Sequence, residues 1–333
     1  MKQDSLNRRS VMAVGIGFAL LGALFIAGCT SPTPPVRVAT VPWPPYDLVE
    51  VDSASSFLDP DLVELVHLQT PAEVVRAFRY ELVDVMMVTS HFALSAVSEL
   101  PDTRIIYFVD VSLGGDALIA QPGIDSAEDL QGKRIGIEAA PLGSYLLTRA
   151  LQNLGLRKDQ ILIVEIDTPE HLGAFQRGDV DALVTYDPTR ARLIEDGAIQ
   201  LFGSEQIPYE IIDVVVTRSD VIERRPQALV NLVRAFDAGI TAFQANPEEI
   251  ALRLAPMHEL GMGSYLSSLR ASELLDLDKN RSLFANPDGP VRRGLLEQCN
   301  IMVEQGLLVK TPSLDPLLDA TIVERASNRA SNR

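Results

Sequence analysis

Val36-Arg37-Val38-Ala39-Thr40-Val41-Pro42-Trp43-Pro44-Pro45-Tyr46 and Lys133-Arg134-Ile135-Gly136-Ile137-Glu138-Ala139-Ala140-Pro141-Leu142-Gly143 stand 97 positions apart in a chain of 333 residues. At that offset Arg37 falls on Arg134, Pro44 on Pro141, Ala77 on Ala174, Phe78 on Phe175, Val83 on Val180 and Asp84 on Asp181. The matches lie at strand starts, in the loop after the first strand, and at the helix end before a later strand. That is what a tandem repeat of one supersecondary unit produces. The alternative is chance agreement between generic α/β segments.

Working outward, short β-branched runs alternate with amphipathic helical patterns from Val36 onward, the pattern of parallel sheets covered by helices. Strands are predicted at 36–41, 62–68, 85–88, 104–108, 117–120, 134–137, 161–166, 182–185 and 211–217. Thr70-Pro71-Ala72-Glu73 is a capping box with proline at the first helical position, and Thr168-Pro169 opens a second helix in the same way. Residues 36–109 and 133–203 are thus expected to be two comparable α/β units. Ligands of such sheets sit beyond the carboxyl ends of the strands, where loops feed helix N-termini. The loops concerned are Pro42 to Tyr46 and Thr89 to His91 in one unit, Glu138 to Ser144 and Tyr186 to Pro188 in the other.

Composition narrows the functions available. With 47% hydrophobic and 22% charged residues the chain can bury a full core. Its 29 Lys and Arg stand against 45 Asp and Glu, a net charge of −16 that repels phosphate backbones, so nucleic acid is not expected as a partner. Two cysteines, Cys29 and Cys299, give neither a disulfide framework nor a cysteine-rich zinc site. His67, His171 and His258 lack ligand spacing, so no metal and no cofactor is expected.

The first thirty residues read as an address. Lys2, Arg8 and Arg9 precede an uncharged run from Val11 to Gly28 that closes on Ile26-Ala27-Gly28-Cys29, a sequence resembling a bacterial lipobox. On this reading 1–28 is a signal peptide, Cys29 carries a lipid, and 29–35 is a Pro-rich tether. The alternative is an uncleaved transmembrane anchor, for which the run is just long enough. Arg8-Arg9 leaves export by the general or the twin-arginine route open.

The passage Gly114-Gly115-Asp116-Ala117-Leu118-Ile119-Ala120, followed by Gly123-Ile124-Asp125-Ser126-Ala127-Glu128-Asp129-Leu130-Gln131-Gly132-Lys133-Arg134-Ile135-Gly136-Ile137, resembles the inter-lobe segment of periplasmic substrate-binding proteins of ABC importers. The branch is the nitrate, sulfonate, taurine and thiamine-precursor type. Gly143-Ser144 opening a helix that ends at Leu154-Gly155-Leu156, and Gly178-Asp179-Val180-Asp181-Ala182 leading to Tyr186-Asp187-Pro188, extend the resemblance over roughly 36–245. It implies a two-lobed type II periplasmic-binding-protein fold, α/β, each lobe a mixed and mostly parallel sheet flanked by helices. Lobe one would be 36–120 plus 210–325 and lobe two 121–209, with crossings near Gln121 and Tyr209 and a polar tail at 326–333. The chain departs from the family at Tyr46 to Phe57, which is short and acidic where relatives carry a longer apolar helix.

Each candidate ligand-binding residue has a structural alternative. Trp43, stiffened by three prolines, is either a stacking wall or a plug over the core, and Tyr46 follows the same logic. Ser90 either donates to a ligand or caps a helix. Gly143 and Ser144 should present free N–H groups at a helix start. Tyr186 and Asp187 end a strand at the cleft mouth, although Asp187 could simply cap the next helix. Asp213, inside an apolar strand, and Glu138 need partners, either a ligand amine or a structural hydrogen bond. Helix N-termini favour an oxyanion, whereas these carboxylates favour a cation or a neutral nitrogen heterocycle; the aromatic faces rank the second ahead.

The expected function is capture of a small polar solute by a non-enzymatic, monomeric lipoprotein that delivers it to an ABC permease and its ATPase. A pyrimidine-synthase-like enzyme on the same fold and a lipoprotein sensor without transport are the alternatives. No catalytic residue is expected. Mass spectrometry of the membrane-extracted protein should find a lipid on Cys29 at the mature N-terminus; an unmodified Cys29 within an intact N-terminal run would remove the anchor.

Overall fold

The computed structural model describes residues 34–328; the expected signal peptide at 1–28, Cys29 with the start of its tether, and the end of the expected polar tail lie outside them. Eleven strands form two sheets among the described residues. The first has the order β11-β4-β10-β3-β1-β2 and the second β7-β6-β8-β5-β9. In chain order the strands are β1 Val36–Thr40, β2 Val63–His67, β3 Val85–Thr89, β4 Thr103–Ser112, β5 Asp116–Ala120 and β6 Arg134–Ile137. They continue as β7 Leu162–Glu165, β8 Ala182–Tyr186, β9 Ile199–Gly203, β10 Ile212–Arg218 and β11 Ser272–Leu274.

The sequence repeat is visible in the pairing. The order β2-β1-β3 in one sheet recurs as β7-β6-β8 in the other, all parallel. Val38 pairs with Val85 and Ala39 with Met86; 97 residues on, Ile135 pairs with Ala182 and Gly136 with Leu183. The two identities nearest the strand starts form the same clamp twice. Asp84 Oδ2 accepts from the Arg37 backbone N–H at 2.9 Å while Arg37 reaches the Glu81 carbonyl at 2.9 Å. Asp181 Oδ2 accepts from the Arg134 N–H at 2.8 Å while Arg134 reaches the Gly178 carbonyl at 2.8 Å.

Parallel pairing stops at the strands that pass between the sheets. β10 runs antiparallel to β3 and β4, and β5 antiparallel to β8 and β9. Both sheets are therefore mixed, with as many antiparallel as parallel neighbours or more, because a strand arriving from the other sheet enters in the reverse direction. The outward crossing falls earlier than expected. β5 belongs to the second sheet, so the chain changes sheet at Leu113-Gly114-Gly115 rather than near Gln121. The return lies between β9 and β10. A buried serine pair joins the two crossings: Ser112 Oγ and Ser204 Oγ are 2.7 Å apart, and the Gly114 N–H donates to Ser204 Oγ at 2.6 Å.

Central strands are apolar on both faces because helices cover both. Val85 to Val88, Ile105 to Phe108 and Val214 to Val216 are all buried. Helix Pro71–Arg79 starts with the capping box read from Thr70 and Glu73. The acidic stretch after Trp43 forms a short 3-10 turn, Tyr46–Glu50, and a helix at Asp52–Ser55; Leu48, Val49, Val51 and Ala54 are buried, and this pair packs on helix Pro226–Ala245. No helix of the described residues is long and apolar enough to cross a membrane.

The repeated clamp should be worth measuring. Asp84→Ala and Asp181→Ala each remove a charge-assisted acceptor for a strand-start N–H, a loss of about 1–3 kcal/mol. Urea unfolding should show it in both variants; losses within about 0.5 kcal/mol, as at an ordinary surface site, would show that the clamp is dispensable.

Candidate functional site

The loop after β1 is held from below before it holds anything itself. Asp47 receives Tyr265 Oη at 2.7 Å and lies 2.5 Å from His258 Nε2, and Tyr265 also reaches the Pro44 carbonyl at 3.3 Å. His258 and Tyr265 stack at 5.6 Å. Prolines 42, 44 and 45 limit the backbone of the same loop. Trp43 and Tyr46 are thereby fixed with their polar atoms pointing at the first sheet: Trp43 Nε1 donates to Asp110 Oδ1 at 3.2 Å, and Tyr46 Oη donates to Asp213 Oδ1.

Trp43 and Tyr46 line a cavity between the two sheets. From the first sheet come Thr89 at the end of β3 and Asp213 on β10; from the second come Asp116 on β5, Leu142 and Tyr186 at the end of β8. Thr89 and Tyr186 are repeat-equivalent positions, 97 residues apart. Trp43 and Tyr186 meet edge to face, ring centroids 6.5 Å apart at 79°. The cavity is ≈ 30 Å³, room for about two water molecules. A Cβ on Gly115 would stand 2.8 Å from Trp43 Cη2, so the crossing must be glycine for the indole to lie against it.

The walls are acidic. Asp110 and Asp213 are direct cross-strand partners on β4 and β10, and both are buried. Such partners stand about 5 Å apart, a spacing at which like charges destabilise a sheet. Asp110 Oδ2, Asp116 Oδ2 and Thr89 Oγ1 are buried without a hydrogen-bond partner. Burial pushes the carboxyls of Asp110 and Asp116 up to about 7 each, Trp43 and Ser112 respectively opposing the shift. Asp213 is raised well above the usual carboxylate range by burial and by Asp110, against the hydrogen bond from Tyr46. Behind Tyr186, whose hydroxyl donates to Thr168 at 3.2 Å, Glu138 is also pushed to about 7 by burial, and its Oε2 has no partner. No lysine or arginine lines the cavity.

The other residues singled out from sequence sit elsewhere. Ser90 donates to Gln298 Oε1 at 2.7 Å in the core. Asp187 is bound by Arg190 at 2.9 and 3.1 Å and accepts the Ala191 N–H, so it is a paired cap. The Ser144 N–H already donates to the Ala140 carbonyl at 3.2 Å. Gly143 serves a close approach, since a Cβ there would stand 2.5 Å from the Glu138 carbonyl oxygen; Leu142 is the residue of that helix start that reaches the cavity. Conversely, Asp110 and Asp116 were not singled out, although each is a carboxylate in or beside an apolar strand, the same signal that marked Asp213. Asp47, His258 and Tyr265 come together from positions more than 200 residues apart and carried no local signal.

The family of proteins described as NMT1/THI5 like matches residues 63–250, more than half of the chain. The chain belongs to the NMT1/THI5-like family. The taurine-binding periplasmic protein of Escherichia coli (strain K12) is 27% identical over 228 residues, covering 66% of this chain and 69% of that protein. The periplasmic aliphatic sulphonate-binding protein of Escherichia coli superposes with a TM-score of 0.68 at 15% identity, over 85% of this chain and 91% of that one. The desulfurization enzyme DSZB superposes with a TM-score of 0.67 at 18% identity, over 89% and 99% of the two chains. The fold is therefore the two-lobed one of periplasmic binding proteins, and within it both binding proteins and an enzyme occur.

The raised carboxyls set a pH dependence of stability. Between the ordinary carboxylate values near about 4 and the values of about 7 for Asp110, Asp116 and Glu138, the folded chain binds protons that the unfolded chain has released. Stability from these groups is fully present below that window and lost as pH rises through it. Urea midpoints of the ligand-free protein should fall from pH 5 to pH 8, and Asp110→Asn or Asp116→Asn should flatten the fall; a slope unchanged in both variants would contradict the assignment.

Proposed function

We propose that the protein is the extracytoplasmic solute-binding component of an ABC importer, tethered by a lipid on Cys29, that holds a small polar solute between its two sheets and hands it to a permease and its ATPase. Family membership and the inter-sheet cavity support this reading. The two crossings tied by Ser112 and Ser204 offer a hinge about which lobes of this kind open and close.

The observation that carries the choice of solute is the pairing of aromatic walls with unpartnered carboxylates. A bare oxyanion at this site would find no cation among the lining residues, and it would be tolerated only while Asp116 and Asp213 keep their protons, because an ionised carboxylate beside it in a partly dry cleft costs several kcal/mol. Trp43, Tyr46 and Tyr186 offer faces for stacking and for cation–π contact. The solute class is therefore a small cationic or nitrogen-rich molecule, probed by a flat ring, in preference to a simple sulfonate. A relative that takes taurine is compatible with this, because taurine itself carries an ammonium group.

Calorimetry tests the reading. 4-Aminopyridine, a flat cation at neutral pH, should bind, and ethanesulfonate should not. Trp43→Ala should weaken binding about tenfold, the equivalent of the 0.5–2 kcal/mol of a cation–π contact, and Asp116→Asn by at least as much. Binding of ethanesulfonate that Asp116→Asn leaves unchanged or tightens would reverse the choice of solute.

A further inference from the structure

Three carboxylates that belong to different strands converge on the loop between Trp43 and Tyr46. Asp110 and Asp213 oppose each other across β4 and β10, and each takes one donor from that loop. Asp116, on β5 of the other sheet, lines the cavity with Oδ2 unpartnered and is 2% exposed. Asp110 has its Oδ2 unpartnered at 0% exposure. No more than two donors, Trp43 Nε1 and Tyr46 Oη, reach the opposed pair from the loop, and neither is a cation.

The groups facing this cluster do not neutralise it. Tyr46 and Tyr186 are phenols whose ionisation burial suppresses. Arg190, the cation whose field reaches Asp116, is engaged by Asp187, which itself acts on Asp116 in the opposite sense. Glu138 stands behind Tyr186, Glu205 lies against Gly114 at the crossing, and Glu273 lies on β11 beside Ser272, whose buried Oγ has no hydrogen-bond partner. Further acids thus surround the site, and two or three buried carboxylates this close cannot all be ionised without a counter-charge.

We propose that Asp110, Asp116 and Asp213 act as one proton-exchanging cluster, holding protons in the absence of solute and releasing them when a cationic solute docks. A carboxylic acid of the cluster loses its proton to the solvent, and the resulting carboxylate pairs with the nitrogen cation. This rests on the reading of the cavity as a cation site and goes beyond it in two ways. It assigns Asp110 to the binding chemistry although the carboxylate's visible partner is Trp43, and it makes capture pH-dependent. The shifts of Asp110 and Asp116 to about 7 place the exchange near neutrality.

The test combines two measurements on the full mature chain. Infrared spectra of the ligand-free protein at pH 6 should show the carbonyl stretch of a protonated buried carboxyl, diminished in Asp110→Asn and bleached on adding 4-aminopyridine. Calorimetry of 4-aminopyridine in phosphate and in Tris at pH 6.5 should give enthalpies that differ by the release of about one proton per ligand, and affinity should rise as pH increases from 5 to 8. Asp110→Asn, which keeps an acceptor for Trp43, should reduce the released protons. Binding with equal enthalpies in both buffers and no bleached band overturns the exchange and leaves the solute reading standing. Absence of binding across that whole pH range rejects the cation-solute reading, and the exchange with it.

Discussion

Two aspartates face each other on adjacent buried strands, and the rest of the site is arranged around that fact. Asp110 and Asp213 are registered partners of β4 and β10, inside the most extensively buried sheet of the molecule. An opposed pair of this kind is a liability in a core, since neither desolvation nor mutual repulsion is relieved by apolar neighbours. The Trp43–Tyr46 loop supplies one donor to each. That loop is in turn pinned by Asp47, His258 and Tyr265, which link the first turn after β1 to helix Met262–Arg270 near the far end of the chain. The position of the indole and phenol that wall the cavity is thus set by polar contacts running outward from it.

The tandem repeat explains why the second wall exists. Each unit is a parallel β2-β1-β3 or β7-β6-β8 triplet with an Arg–Asp clamp at its strand starts, so the strand ends of both point loops toward their own helix N-termini. Joining two such units through antiparallel crossing strands brings the equivalent ends, Thr89 and Tyr186, to one cavity. The crossings need tight geometry, which Gly114-Gly115 and the Ser112–Ser204 pair provide. Asp116 follows directly on that turn, so the carboxyl that enters the cavity from the second sheet is placed by the crossing itself.

Much of this architecture was legible in the sequence because it depends on local or periodic signals. The strand starts, the Thr70 capping box and the 97-residue offset all survive in the structure, as does Asp213 as a carboxylate within an apolar strand. β9 escaped because Ile-Gln-Leu-Phe-Gly follows a turn closely and is only partly apolar; β11, three residues at a sheet edge, is too short to carry a period. The outward crossing was placed too late because Gly114-Gly115 reads equally as a loop before a strand of either lobe. Helix starts misled most: Ser90 and Asp187 occupy repeat-equivalent positions, but one is consumed by Gln298 and the other by Arg190, partners 208 and 3 residues away. The Asp187–Arg190 pair is an i,i+3 contact that helical spacing could have reported, whereas the Ser90–Gln298 pair is long-range and no spacing rule reports it.

A buried carboxylate has three ways to reduce its cost: hydration, protonation or a counter-cation. Full hydration of Asp116 and Asp213 takes more water than the roughly two molecules the cavity has room for, which in a two-lobed protein means lobes apart. With the lobes together, as the contact between Trp43 and Tyr186 shows them here, only the proton and the cation remain. Closure and site chemistry are therefore linked through the same atoms, since whatever neutralises the cluster also favours the apposition of its two walls. Proton and solute then act as competitors for one conformation. That arrangement follows from where the acids are buried and applies to any cationic solute, because the strands place the carboxyls and the Trp43–Tyr46 loop determines which of their oxygens are already paired.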